Sequence, residues 1–230
     1  MLRQPSLAWL LVVFEEPMNI ILTAVDDELA LAWERFCGGL EGVRIHRGSI
    51  LELECDAVVS PANSFGFMDG GIDAAYLRHF GADLQRRVQD AIANLHHGEL
   101  VVGMAEVVET GHARIPWLIA APTMRVPMIL QEPVTPYLAA RAALLLVLHG
   151  TVRVGVFAGE PIAQHIRSIA LPGLGTGIGQ VGPNTCARQV RQAIDDVLLG
   201  QFTMPKTWAE ASERHQLLYT NNPRRLQHER

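Results

Sequence analysis

The stretch Asp56–Asp73, DAVVSPANSFGFMDGGID, constrains this chain more than any other. Behind Asp56, Ala57-Val58-Val59 is a short unbroken apolar run, the pattern of a strand buried on both faces of a parallel sheet. Pro61 has no N–H to give a ladder, so the strand stops there and Asn63 falls just past its carboxyl end. Gly66, Gly70 and Gly71 punctuate the following loop, and Ile72–Phe80 reads as a helix. Strand, polar residue, glycine loop and helix in that order make an anion site. The glycines let backbone N–H groups approach a ligand, and the helix N-terminus favours negative charge. Asn63 and Asp73 bracket the loop, so both are placed to face whatever it holds.

Strand and helix patterns alternate along the rest of the chain. Asn19–Val25 is a strand, and Asp26 is placed to cap the helix after it. That helix buries Leu29, Trp33, Phe36, Cys37 and Leu40 at helical spacing and ends at Gly38-Gly39. Val43–His46 is a second strand, closing on Gly48-Ser49-Ile50. Ala82–His97 is a helix with Leu84, Val88, Ile92 and Leu95 inward, stopped by Gly98. Leu100–Val108 and Trp117–Ala121 read as strands, followed by a proline-rich loop over 122–136. Thr135 as cap and Pro136 in the first turn predict a helix to His149. Val152–Phe157 fits either a strand or an inserted linker. Ile166–Leu171 is a strand, Pro183–Leu199 a helix with Cys186, Val190, Ile194 and Val197 on one face, and Trp208–Leu218 a last helix. The expected organisation is an extension over 1–17, one α/β domain over 18–199, and a helix and tail over 200–230. Such a sheet is covered by helices on both faces and binds ligands beyond the carboxyl ends of its strands.

A formal net charge of −5 and no basic stripe argue against a nucleic-acid partner. They leave room for an anionic small molecule, because glycine loops hold phosphates with backbone amides. Three cysteines, Cys37, Cys55 and Cys186, with no CxxC pair argue against structural zinc and a disulfide framework. No metal site and no cofactor are expected, and His96 and His97 read as structural residues closing a helix. The apolar run over 7–14 follows Arg3, as in a signal peptide. Glu15, Glu16 and Pro17 come next without a small-residue cleavage site, and the run is too short to span a bilayer. Met18 is therefore read as a candidate natural start, with a cytoplasmic location and no membrane partner.

The motif SPAN followed by GGID resembles the NAAN…GGGVD signature of the macrodomain, the ADP-ribose-binding fold. A second block, Ser168–Gly179 (SIALPGLGTGIG), resembles the strand and loop that end in that family's STGI-type turn. The resemblance covers roughly 18–199 and implies a three-layer α/β/α fold with a mixed, mostly parallel sheet. It implies that Asn63 orients the distal ribose, where spacing alone also allows an Asx-turn. It implies that Asp73 activates water against the anomeric carbon, where the plain alternative is an ionised helix-start charge. Gly70 and Gly71, with Ala62 and Ile72 beside them, would pass under the diphosphate. Gly173, Gly175, Thr176, Gly177, Ile178 and Gly179 would cradle it; as a mere surface loop they would waste Leu174 and Ile178 in solvent.

Several positions depart from the family pattern. Asp69, with Met68 before it, stands in the glycine run, an unfavourable charge beside a phosphate unless it points away. Gly179 replaces an aromatic, which implies a more open distal pocket. Ser49, followed by Ile50, replaces an Asp that accepts from the adenine amine; Asp56 or Glu54 is a candidate substitute. Arg125 reads either as a phosphate grip or as a loop ion pair. The expected ligand is ADP-ribose or an ADP-ribosylated substrate, with hydrolysis of an ADP-ribose linkage, protein-borne or a small ester. The alternative is a module that binds ADP-ribose without turnover. A dinucleotide oxidoreductase reading of GLGTGIG fails, because Asp195 lies inside the following helix and not at the end of a further strand.

Overall fold

The computed structural model of the protein describes residues 18–61, 63–131 and 134–224. The extension expected over 1–17 and the tip of the tail, 225–230, lie outside the described residues. Strand alternation builds the architecture. Along β1 (Asn19–Ala24), Ile20 and Leu22 enter one core and Ile21 the other. The same split recurs in β3 (Ala57–Ser60), where Ala57 and Val59 oppose Val58, and in β5 (Ile115–Ala120), where Trp117 and Ile119 oppose Leu118. Each central strand therefore needs a helical layer on both sides.

The first layer is α1 (Asp27–Cys37), α4 (Thr135–His149) and α5 (Pro183–Val197), which pack Trp33, Leu144 and Val190 into one core. The second is α2 (Gly71–Phe80) and α3 (Asp83–Leu95), which pack Tyr76, Leu84 and Val88 into the other. Between them lies a six-stranded sheet ordered β2-β1-β6-β3-β5-β4, with β2 at Val43–Arg47, β4 at Glu106–His112 and β6 at Ser168–Leu171. All neighbours are parallel except β4 and β5, so the sheet is mixed and mostly parallel. Five strands thus end on one edge of the sheet. The C-terminal helix α6 (Trp208–Leu217) follows, and its end is tied to α5 by the Gln189 amide donating to the Leu218 carbonyl.

Two local expectations are corrected, and one left open is decided. The strand read over Leu100–Val108 begins only at Glu106: Val101 and Met104 are 46% and 43% exposed, while Leu100 is pinned by its N–H to the Ser64 carbonyl. Thr151–Gln164 is a loop closed by a bridge between Thr151 and Pro161, with a 3-10 turn at Ile162–Gln164 and no strand. Thr135 is not the cap of α4; Val134 takes that position, and no side chain caps the helix. The Thr135 hydroxyl is buried without a partner among the described residues. Thr135→Val removes that unsatisfied group at nearly constant shape, so it should stabilise the protein by about 1 kcal/mol, read as a raised melting temperature.

Candidate functional site

Beyond the shared edge lies a cavity of about 400 Å³, bounded by the chain that leaves β1, β2, β3, β5 and β6. Ser49 and Ile50 border it after β2, Asn63 after β3, Gly70, Gly71, Ile72 and Asp73 at the start of α2, and Gly173 and Gly175–Gly179 after β6. Every site residue read from sequence is thus gathered here except Ala62, which lies outside the described residues. The two loops meet across the cavity, since a Cβ on Gly70 would sit 3.6 Å from the Ile178 Cδ1.

Backbone donors dominate this cavity. Among the described residues, the N–H groups from Gly70 to Asp73, of Gly173 and from Gly175 to Gly179 donate no hydrogen bond, while that of Leu174 is turned to the Cys186 thiol. The first set opens α2, whose cap residue Gly70 offers no side-chain acceptor. Gly71 starts that helix at φ +55°, a conformation other residues rarely take. Gly179 is required for a different reason: a Cβ there would lie 2.5 Å from the Gly175 carbonyl oxygen. Among the described residues no lysine or arginine lines the cavity, while Asp26, Asp69 and Asp73 do. Leu174 is fully buried and anchors the second loop, whereas Ile178 is 52% exposed at its tip.

Among the described residues Asp73 is the one buried carboxylate of the cavity, reached by Ser60 from the end of β3. The Ser60 hydroxyl donates to Asp73 Oδ1 at 2.5 Å, and both residues are buried. Burial pushes the Asp73 carboxyl up from its ordinary 3.8 to about 6, with the Ser60 bond opposing the rise. Its place in the first turn predicted an ionised carboxylate, and a group at about 6 is still mostly ionised at neutral pH. One turn on, the buried Tyr76 hydroxyl is spent on the Val59 carbonyl at 3.0 Å. The three cysteines offer no nucleophile: burial pushes Cys37 and Cys186 to about 12 and Cys55 to about 11.

A Macro domain family model matches residues 59–190, more than half of the chain. The chain belongs to the macrodomain family. Relatives include an uncharacterized protein of Aquifex aeolicus, 29% identical over 152 residues, which are 66% of this chain and 80% of that protein. Another, from Pyrobaculum aerophilum, is 30% identical over 160 residues, 70% of this chain and 78% of its own. Among solved structures, a mutant Oceanobacillus iheyensis macrodomain with ADPR matches at a TM-score of 0.52 and 23% identity, over 66% of this chain and 75% of that one. At that identity the likeness speaks for the fold.

Within this macrodomain several expectations change. Asn63 does form an Asx-type turn: its Oδ1 accepts from the N–H groups of Phe65 and Phe67 at 3.1 and 3.3 Å, and its Nδ2 donates to the Phe67 carbonyl at 2.8 Å. One Nδ2 hydrogen is left for a ligand. Asp56 cannot stand in at Ser49, because its Oδ2 accepts from Arg167 N, Ser168 N and Ser168 Oγ at the opposite end of the sheet. Glu54 also borders a pocket at that far end. Arg125 is an exposed ion pair with Glu99, at 2.7 and 3.1 Å, and not a cavity residue. The room expected beside Gly179 is partly filled by Leu130, whose N–H donates to the Gly179 carbonyl at 2.9 Å. Asp195 pairs with Arg191 inside α5. Sequence reading missed Ser60, Thr23, Thr123 and the cavity face of Asp26. Their positions at the ends of β3, β5 and β1 were the available signal.

The raised Asp73 carboxyl links site to stability. The native state holds this proton more tightly than the unfolded chain, so the group costs stability as pH rises from 3.8 to about 6. At about 1.4 kcal/mol per pH unit the cost levels off near 3 kcal/mol. Asp73→Asn keeps an acceptor for Ser60 and removes the charge. Denaturant melts should show the variant about 3 kcal/mol more stable than wild type at pH 7.5, with the gain fading as pH falls to about 4.

Proposed function

We propose that this macrodomain holds ADP-ribose, or a closely related nucleotide-diphosphate-sugar, and hydrolyses an ADP-ribose linkage at the distal anomeric carbon. The observation that carries this reading is a buried carboxylate set beside two rows of backbone amides that, Leu174 apart, donate to nothing else among the described residues. A diphosphate supplies acceptors to both rows at once, and helix and loop dipoles replace side-chain cations. The relatives' fold, one of them solved with ADPR, supports the ligand class.

In the reaction, water lies between Asp73 and the anomeric carbon. Its oxygen bonds to that carbon as the proton passes to the Asp73 carboxylate, and the bond to the leaving group breaks with its electron pair leaving on that group. A base titrating near 6 is largely free at neutral pH yet still basic enough to take the proton. Ser60 fixes the carboxylate's rotamer and opposes the burial effect, so it is a positioning residue. Tyr76 cannot protonate a leaving group, because its hydroxyl is committed to Val59. The leaving group is a modified protein side chain or a small ester. One observation favours a second reading, a binding module without turnover: the Asn63 carboxamide is largely spent on its own loop.

Calorimetric titration with ADP-ribose tests binding, and single-turnover release of ADP-ribose from a modified protein and from its small esters tests chemistry. The rate should climb as pH rises through about 6 or somewhat above, since a bound diphosphate raises the carboxyl further. Asp73→Ala should lower it about 10²–10⁴-fold with binding retained. Ser60→Ala should move the climb to higher pH, because the bond that opposes burial is gone. Binding without turnover on any substrate hands the site to the second reading. Full activity in Asp73→Ala leaves Asp73 as a helix-start residue and removes the mechanism.

A further inference from the structure

We propose that Asp26 selects the base of the bound nucleotide, accepting a hydrogen bond from an exocyclic amine and so favouring 6-amino over 6-oxo purines. This rests on the nucleotide-diphosphate-sugar reading above. The sheet order fixes how such a ligand lies. From β2 through β1 and β6 to β3 is three strand spacings, about 14 Å. Asp73 and Ser60 mark the β3 end, and the free amides after β6 hold the middle. With the reacting carbon at Asp73 and the diphosphate on the amides, the base falls at the ends of β1 and β2.

That end is built for a planar ring with one polar edge. Val25, Leu29 and Ile50 supply apolar walls, and Asp26 and Ser49 supply the polar side chains. Both follow the last paired position of adjacent strands: Ala24 pairs with Arg47, and each site residue lies two positions further on, at the edge of the same cavity. The Ser49 hydroxyl accepts from Leu51 N at 3.3 Å in capping the 3-10 turn. Asp26 caps α1 with Oδ1 alone, accepting from Leu29 N at 2.8 Å, and among the described residues nothing bonds its Oδ2. Its neighbour Asp27 is already paired with Arg47 at 3.2 Å. Asp26 is therefore the carboxylate available to the base end, one strand over from Ser49.

The cap makes the test directional. In Asp26→Asn the amide oxygen must stay on Leu29 N, because an amide NH₂ cannot accept from it. The NH₂ is then turned towards the cavity, a donor where an acceptor had been, and it suits a 6-oxo purine. Asp26→Ser keeps a capping oxygen and offers neither group. ADP and IDP, which differ in the 6-amino or 6-oxo group, are titrated calorimetrically against wild type and both variants, with ADP-ribose on wild type and thermal melts of all three proteins. Wild type should prefer ADP by about ten-fold or more. Asp26→Asn should reverse the preference and Asp26→Ser should lose most of it, both with melting temperatures near wild type. Equal affinities in wild type, or an undiminished ADP preference in Asp26→Asn, overturn the assignment and leave the nucleotide reading standing. No heat from ADP-ribose, ADP or IDP overturns both.

Discussion

Parallel strands that end together leave the backbone just beyond them without ladder partners, and the rest of this molecule depends on that constraint. β1, β2, β3, β5 and β6 stop on one edge, and the chain leaving each must satisfy its polar groups by turning, by entering a helix or by meeting a ligand. After β1 the chain is satisfied locally, by Asp26 capping α1. At the start of α2 and after β6 it is not: α2 starts on an uncapped glycine, and in the loop over 173–179 only the Leu174 N–H is turned to a partner, the Cys186 thiol. The cavity is the space those unspent donors share. Among the described residues no basic side chain lines that space, in a chain of net charge −5.

The same edge determines how the carboxylate behaves. Asp73 stands in the first turn of α2, where a dipole favours charge, yet it is also covered by the loops that close over the strand ends. Desolvation wins, and Ser60 recovers part of the difference. Both effects come from one packing fact, the contact between the end of β3 and the start of α2. A helix-start charge thereby becomes a group that titrates near neutrality. Stability is given up at a buried titratable group that borders the cavity.

How much was readable in the sequence depends on the range of the interactions that decide each feature. The buried strand at Ala57–Ser60, the glycine loop and α2 were readable, since apolar runs, Pro61 and glycine act within a few residues. So were the two loops that form the cavity and the capping of α1 by Asp26. The start of β4 was not, because Val101 and Met104 alternate like strand residues while Leu100 is held by Ser64, far along the chain. Thr135 has the composition of a cap, but tertiary packing placed the helix start one residue earlier.

By itself the sequence determined the α/β class, the order of elements, the two glycine loops and the pairing of Asn63 with Asp73 around one of them, because each rests on local backbone chemistry. Only the tertiary structure decided which polar groups were already spent. Asn63 is engaged in its own turn, Asp56 ties strands together at the far end of the sheet, and Arg125 belongs to Glu99. It also decided that Ser60 meets Asp73 and that Asp26 and Ser49 border one cavity. These are contacts between strand ends, set by sheet order and register, and no local pattern encodes which strand will lie beside which.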